Sequence, residues 1–197
     1  MSSTPSKPRP ALTPRHQQAL DAFVRFWGEM ATHWGINRTM AQIHALLYAS
    51  ERPLDTDEIM ARLDISRGNA NMNLRALLDW SLISKSQQPG SRKDYYAAEK
   101  DVWTITTTII EERRKQEILP VQEALARCSE TLREGPPLSP DEAQFAARID
   151  NLVGFLEVFE GFTRAFLPFL RSRSGDKVKR MIEFALRLRD RREPADA

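Results

Sequence analysis

The strongest constraint on this chain lies at residues 54–80, LDTDEIMARLDISRGNANMNLRALLDW, which read as two short helices with almost nothing between them. Asp55 stands where an N-cap belongs. Asp57 and Glu58 fall in the first turn, where the helix dipole favours acids, and Ile59, Met60 and Leu63 give one apolar face over about 56–63. Asp64 and Ile65 leave room only for a tight turn. Ser66 then caps a second helix that runs to about Trp80 with an inward stripe of Ala70, Leu74, Leu77 and Leu78. Two short helices around a tight turn, the second capped by Ser, form a helix-turn-helix pattern. Beyond it LISKS alternates like a strand, QQPGSR carries a Pro-Gly turn with a basic residue, and KDYYAA alternates again. The spacing therefore predicts a winged helix.

At 100° per residue the stripe of the second helix leaves Gly68, Asn69, Met72, Arg75 and Asp79 facing outward, with Asn71 and Asn73 on the flanks and Arg67 in the first turn. Asn is a mediocre helix former, so three of them in two turns need a reason. In a helix-turn-helix the N-terminal part of the second helix enters the DNA major groove, where Asn matches adenine edges and Arg matches guanine. Gly68 would let the backbone approach closely, and Ser66 with the free amides of the first turn can grip a phosphate. Three asparagines alone would equally suit a solvated face; the preceding helix, the Ser cap and the basic hairpin favour a reading surface. Arg92 and Lys93 at the hairpin tip are the expected wing contacts to phosphate or minor groove, with Lys85 and Lys100 as possible additions. Residues 52–100 hold eight Lys/Arg against seven Asp/Glu, so such a face depends on how the charges segregate.

The flanks read as helices. Residues 1–12, with prolines and no apolar run, suit a disordered arm and no secretory signal. Thr13 caps a helix over about 14–34, followed by Gly35, and Asn37 caps another over about 38–50. Residues 101–133 predict one long helix bent near Pro120, or two, with Ile118, Val121, Leu125, Cys128 and Leu132 at helical spacing. After EGPPLSP, Ser139 caps a helix in which 145, 149, 152, 156, 159, 163, 166 and 170 make a heptad-like seam, apolar except for Thr163; Phe155, Phe162 and Phe169 form an adjacent row. Charged residues interrupt it, which argues against a membrane span and for a covering partner chain. A last helix, about 176–190, lies where residues 171–192 hold nine Lys/Arg against three Asp/Glu: a solvated face, or a second contact to the DNA backbone.

The net charge is only +2, so any nucleic-acid surface must be local. Cys128 is the single cysteine, which fits a reducing compartment and is expected as a small buried helix residue. His16, His33 and His44 share no face, and there is no HExxH, CxxC, P-loop, GxGxxG or GxSxG. The chain is thus expected to be no enzyme, to need no cofactor and to bind no metal.

Over Trp27–Trp103 the sequence resembles the GbsR-type branch of the MarR family of winged-helix regulators, in SRGN-x-x-MNLR-x-LLDW, the hairpin G-x-RKDYY and the following D-V-W. The resemblance implies a dimeric regulator of the bacterial cytoplasm, nucleoid-associated and usually a repressor. It implies that Ser66–Arg75 enters the groove and that Arg92–Lys93 forms the wing. The expected fold is mainly α: a winged helix-turn-helix with a two-stranded hairpin wing and long dimerisation helices. The expected organisation is an arm at 1–12, a DNA-binding domain at 13–100 with a leading dimerisation helix, and a helical dimerisation and effector-linked region at 101–192. The expected partners are double-stranded DNA with an inverted-repeat operator, a second copy and a small-molecule inducer. Trp27, Trp34, Tyr48, Trp80, Tyr95, Tyr96 and Trp103 flank the junction of the two regions, where they form either ordinary core or an aromatic cage for a quaternary ammonium group. The rival function is a winged-helix protein-interaction adaptor, which would not need Asn and Arg on the outer helix face.

Overall fold

The structure, a computed structural model, describes residues 13–171 together with Arg180, Glu183 and Arg187. The expected arm at 1–12 and most of the expected last helix lie outside the described residues. The chain divides into two compact units at Lys100–Asp101.

The first unit begins with α1 (Pro14–His33), whose N-cap Thr13 accepts from the His16 amide, and α2 (Arg38–Ala49), capped by Asn37. They pack closely at Gly28, where a Cβ would come within 2.7 Å of Gln42 Cγ. A two-residue strand β1 (Leu54–Asp55) leads into α3 (Thr56–Leu63), and α4 (Arg67–Asp79) follows three residues later. Asp64 makes that turn in the left-handed conformation at φ +52°, which Asp tolerates better than most residues, and its amide bonds Met60 O. Strands β2 (Ile83–Gln87) and β3 (Asp94–Ala98) make the hairpin. The sheet order is β1-β3-β2, all antiparallel, with Leu54 opposite Tyr96 and Lys85 opposite Tyr96 on the other side. The hairpin is legible from the sequence; β1 is not, since two residues carry no period. At the tip the Ser91 amide donates to Gln88 O at 3.0 Å across Pro89-Gly90, and Gly90 has φ +83°. This is a type II turn, with Pro at its second position and Gly where φ must be positive.

The core of this unit gathers Ile43, Leu46 and Leu47 of α2, Leu54 of β1, Ile59 of α3, and Leu74 and Leu77 of α4, all essentially without exposed surface. Burial of each such side chain contributes roughly 1.5–3 kcal/mol. Among them sits His44, 4% exposed, with Nε2 buried and unbonded within the described residues and its ring stacked on Tyr48. Lys100, expected as a member of a DNA-facing patch, instead ends α2. Its Nζ donates to the carbonyls of Leu47 (2.8 Å), Tyr48 and Ser50 (2.9 Å) and lies 5.5 Å from the Tyr48 ring centroid. A cation at a helix C-terminus meets both the unpaired carbonyls and the negative end of the dipole, which accounts for the placement.

The second unit starts with α5 (Val102–Arg113), capped by Asp101, and continues through a π-helical segment, Arg114–Ile118, into α6 (Leu119–Arg133). Pro120 explains the segment: its ring disfavours the regular helical turn before it, and the Leu119 amide bonds Arg114 O, five residues back. The long helix α7 (Pro140–Arg171) begins at Ser139, whose amide donates to Glu142 Oε2 at 2.8 Å while its Oγ accepts from the Glu142 amide. Helices α6 and α7 are joined by Ser129 and Arg133, both donating to Asp150 (2.9 and 2.6 Å). Cys128, expected to be buried, is exposed. The buried α6 residue is Ser129, next in the chain and 100° further round the helix, because the Asp150 carboxylate draws it inward.

Burial, reinforced by the charge of Lys100, pushes the pKa of His44 down from 6.5 to about 4. His44 is therefore neutral in the folded chain, and between these values the unfolded chain binds more protons. Stability is expected to fall as pH drops from 6.5 towards 4, by roughly 3 kcal/mol over the whole interval. Urea unfolding at pH 7 and pH 4.5 checks this, with His44→Phe losing that part of the pH slope.

Candidate nucleic-acid interface

The second helix of the pair, α4, is held by its inward stripe: Ala70, Leu74 and Leu77 are buried, and Leu78 is half-buried. Ser66 caps it as the sequence predicts, its Oγ accepting from the Asn69 amide at 3.3 Å. Arg67, Gly68, Asn71, Met72 and Arg75 are exposed, Met72 at 61%. Asn69 is half-buried. Asn73 departs from its expected place on the flank: it is 3% exposed. It lies three residues after Ala70 and four before Leu77, within the buried stripe, where a polar group needs partners. Its Nδ2 finds two on Asn69, the main-chain O at 2.8 Å and Oδ1 at 2.7 Å. Asn73 thus supports Asn69 from below, fixing the neighbouring amide so that Asn69 Nδ2 remains without a bond among the described residues. Gly68 is also informative. A Cβ there would meet nothing within 4 Å, so packing inside the chain does not call for glycine. Glycine in a helix is less stable than alanine by up to about 1 kcal/mol.

The positive groups divide into two kinds. Arg75 and Arg92 are exposed and make no ion pair among the described residues. Arg67 and Lys93 are engaged by α3. Lys93 Nζ lies 2.7 Å from Asp55 Oδ2 and 2.8 Å from Asp57 Oδ2, and Arg67 NH2 lies 2.5 Å from Asp57 Oδ1. Lys85, the other expected addition to the patch, pairs diagonally across the hairpin with Asp94 at 2.8 Å. Asp55 does three things. It pairs opposite Tyr95 in the sheet, caps α3 in a capping box with Glu58 (2.8 Å from the Glu58 amide to Oδ1), and receives Lys93. Burial, at 6% exposure, works against its charge, but Lys93 and the Glu58 amide outweigh this and hold its pKa below the usual carboxylate range. Lys93 and then Arg67 likewise lower Asp57, and the two aspartates raise Lys93. Sequence reading missed both acids as members of this surface. They are visible there only as first-turn residues of α3, and their partner Lys93 lies 36 residues or more away.

The aromatic residues of the first unit do not form one cage. Trp27 and Tyr48 are joined through Phe23, at 5.6 and 6.3 Å between ring centroids, and Lys100 lies close to the Tyr48 ring. Trp34 and Trp80 end different helices, α1 and α4. Tyr95 and Tyr96 are neighbours in β3 and so point to opposite faces of the sheet, with Tyr96 buried. Trp103 belongs to the second unit, half-buried on α5. Among the described residues no group of three His, Cys, Asp or Glu could hold a metal ion, and no helix is long and apolar enough to cross a membrane.

A helix-turn-helix whose second helix turns an Asn/Arg face outward, followed by a basic hairpin paired to a third short strand, is a winged helix-turn-helix domain. The chain is 25% identical over 93 residues to "Putative HTH-type transcriptional regulator YvaV" of Bacillus subtilis, covering 47% of this chain and 52% of that protein. It is 24% identical over 102 residues to "HTH-type transcriptional repressor GbsR" of the same organism, covering 52% and 56%. The chain spans about half the length of the curated relatives it matches. A solved structure, "Crystal Structure of a transcriptional regulator", shares the fold with a TM-score of 0.63 at 18% identity, over 79% of this chain and 99% of that one. No protein-family model matches. By sequence, the chain is thus similar to two HTH-type transcriptional regulators, one of them GbsR.

The double duty of Asp55 sets an expectation for stability. Asp55→Ala removes the cap and the buried partner of Lys93, and should lower unfolding stability by about 1–2 kcal/mol in urea titrations. Asp57→Ala, which leaves the capping box intact, should shift the urea midpoint far less.

Proposed function

We propose that this chain is a sequence-specific DNA-binding transcriptional regulator that acts as a dimeric repressor. The observation that carries the reading is the outer face of α4, where Gly68, Asn71, Met72 and Arg75 are exposed beside the half-buried Asn69 on a helix whose first turn is capped by Ser66. Asn69, braced by Asn73, offers an oriented amide to a base edge, and Arg75 offers a bidentate donor pair. Gly68, for which the chain's own packing gives no reason, allows a phosphate or base close to the helix backbone. Arg92, at the hairpin tip, supplies a contact to phosphate or the minor groove. The names of the two relatives, a transcriptional regulator and a transcriptional repressor, agree with this reading.

The dimer rests on α7. Leu152, Phe155, Val158, Phe162 and Phe169 are each more than half exposed within the chain, and Phe162 stacks on Phe166 at 5.3 Å. Gly154 and Gly161, seven residues apart, have open space around them, which suits close approach of another helix. A second copy covers this face and brings two reading helices to the spacing of one DNA turn, about 34–36 Å, on an inverted-repeat site.

Fluorescence anisotropy on a duplex footprinted upstream of the protein's own gene tests the first part. Asn69→Ala and Arg75→Ala should each cost about 1–3 kcal/mol on that duplex and much less on random DNA, whereas Arg92→Ala should weaken both alike and flatten the salt dependence. Gly68→Ala should raise thermal stability while weakening DNA binding; a gain in both would contradict close approach at this point. Light scattering at micromolar concentration tests the second part, with a dimer expected for the wild-type chain and a monomer for Phe155→Glu/Phe162→Glu.

A further inference from the structure

Asp57 is a residue that neither the core nor the helix cap requires. The capping box of α3 is complete with Asp55 and Glu58, and Glu58 is further held by Arg52. Yet both Asp57 oxygens are occupied by cations: Oδ1 by Arg67, the first residue of α4, and Oδ2 by Lys93 of the hairpin. One carboxylate on α3 therefore ties together the first residue of α4 and the hairpin. Together with Asp55 the cluster contains two cations and two anions, so the junction of α4 and the hairpin has no net charge. The three outer members are accessible to water, with Arg67 and Lys93 more than half exposed and Asp57 nearly half. Exposed ion pairs of this kind add little to stability and exchange readily for another anion.

We infer that Asp57 is a positioning residue that competes with DNA phosphate for Arg67 and Lys93. It pre-orders both side chains and at the same time lowers the affinity of the surface for duplex DNA of any sequence. A backbone phosphate approaching α4 or the hairpin meets a cation already neutralised, and must displace Asp57 to reach it. Asp55 cannot take this role, because one of its oxygens caps α3 and its carboxylate is buried. The inference deepens the proposed function and rests on it.

The test uses the full chain, Asp57→Asn and Asp57→Glu, each titrated over a series of salt concentrations onto a random-sequence duplex and onto a duplex selected by the wild-type protein from a random pool. Asp57→Asn should bind both duplexes more tightly, by roughly tenfold at low salt, with a salt slope steeper by about one ion equivalent, since Lys93 keeps its pair with Asp55. The ratio between the two duplexes should stay close to the wild-type value, since the cations released from Asp57 meet phosphate, which carries no sequence information. Asp57→Glu, which keeps the charge, should stay near wild type. Lys93→Gln/Asp57→Asn should show a smaller gain than Asp57→Asn alone, and circular dichroism melts confirm that each variant is folded. Unchanged or weaker binding by folded Asp57→Asn, with the wild-type chain binding duplex, would overturn the inference and leave the DNA-binding reading standing. If the wild-type chain binds neither duplex, the reading itself falls and the inference with it.

Discussion

The winged half of this protein depends on a single buried carboxylate. Asp55 ends the short strand β1, opens helix α3 and accepts the lysine of the hairpin, so three elements meet at one side chain. A carboxylate at 6% exposure is costly to keep charged unless its oxygens are satisfied. Here one oxygen takes a backbone amide at a helix N-terminus, where the dipole favours negative charge, and the other takes an ammonium. The angle at which α3 leaves the sheet, and hence where α4 begins, follows from that arrangement.

From this anchor the outer surface of α4 inherits its order. The tight turn at Asp64 gives α3 and α4 no freedom to part, and the apolar stripe sets the rotation of α4 about its axis. Asn73 then converts a polar group in the stripe into support for Asn69, so a mediocre helix former becomes a means of holding another in one orientation. The same economy appears at Lys100, which closes α2 through three carbonyls and also discourages protonation of His44.

The second unit is governed by helix continuity. Pro120 falls inside a long helical run, and the chain accommodates it by widening one turn over Arg114–Ile118 in place of breaking. The widened turn carries Arg114, which reaches both Glu111 and Glu160 and so ties this helix to α7. With Ser129 and Arg133 fastened to Asp150, α7 is tied to α6, while Leu152, Phe155, Val158 and Phe162 stay more than half exposed.

What the sequence determined by itself is whatever is local. Caps at Thr13, Asn37, Asp55, Ser66 and Ser139 act over three residues, apolar stripes repeat every three or four, and Pro-Gly sets the hairpin turn; all of these are legible in the order of residues. The outward positions of Asn69, Met72 and Arg75 follow from the same 100° step. The burial of Asn73 obeys it too, through its place between Ala70 and Leu77, although its polarity suggests the flank. The tertiary structure alone decided which charges remain available. Lys93 meets aspartates 36 and 38 residues away, and Lys100 meets carbonyls 50 to 53 residues away. It also settled that Ser129 and not Cys128 turns inward, since Asp150 lies on a different helix. Helical periodicity says which face a side chain occupies; the partner it finds there depends on elements brought together only by folding, and an ion pair across such a distance leaves no period in the sequence.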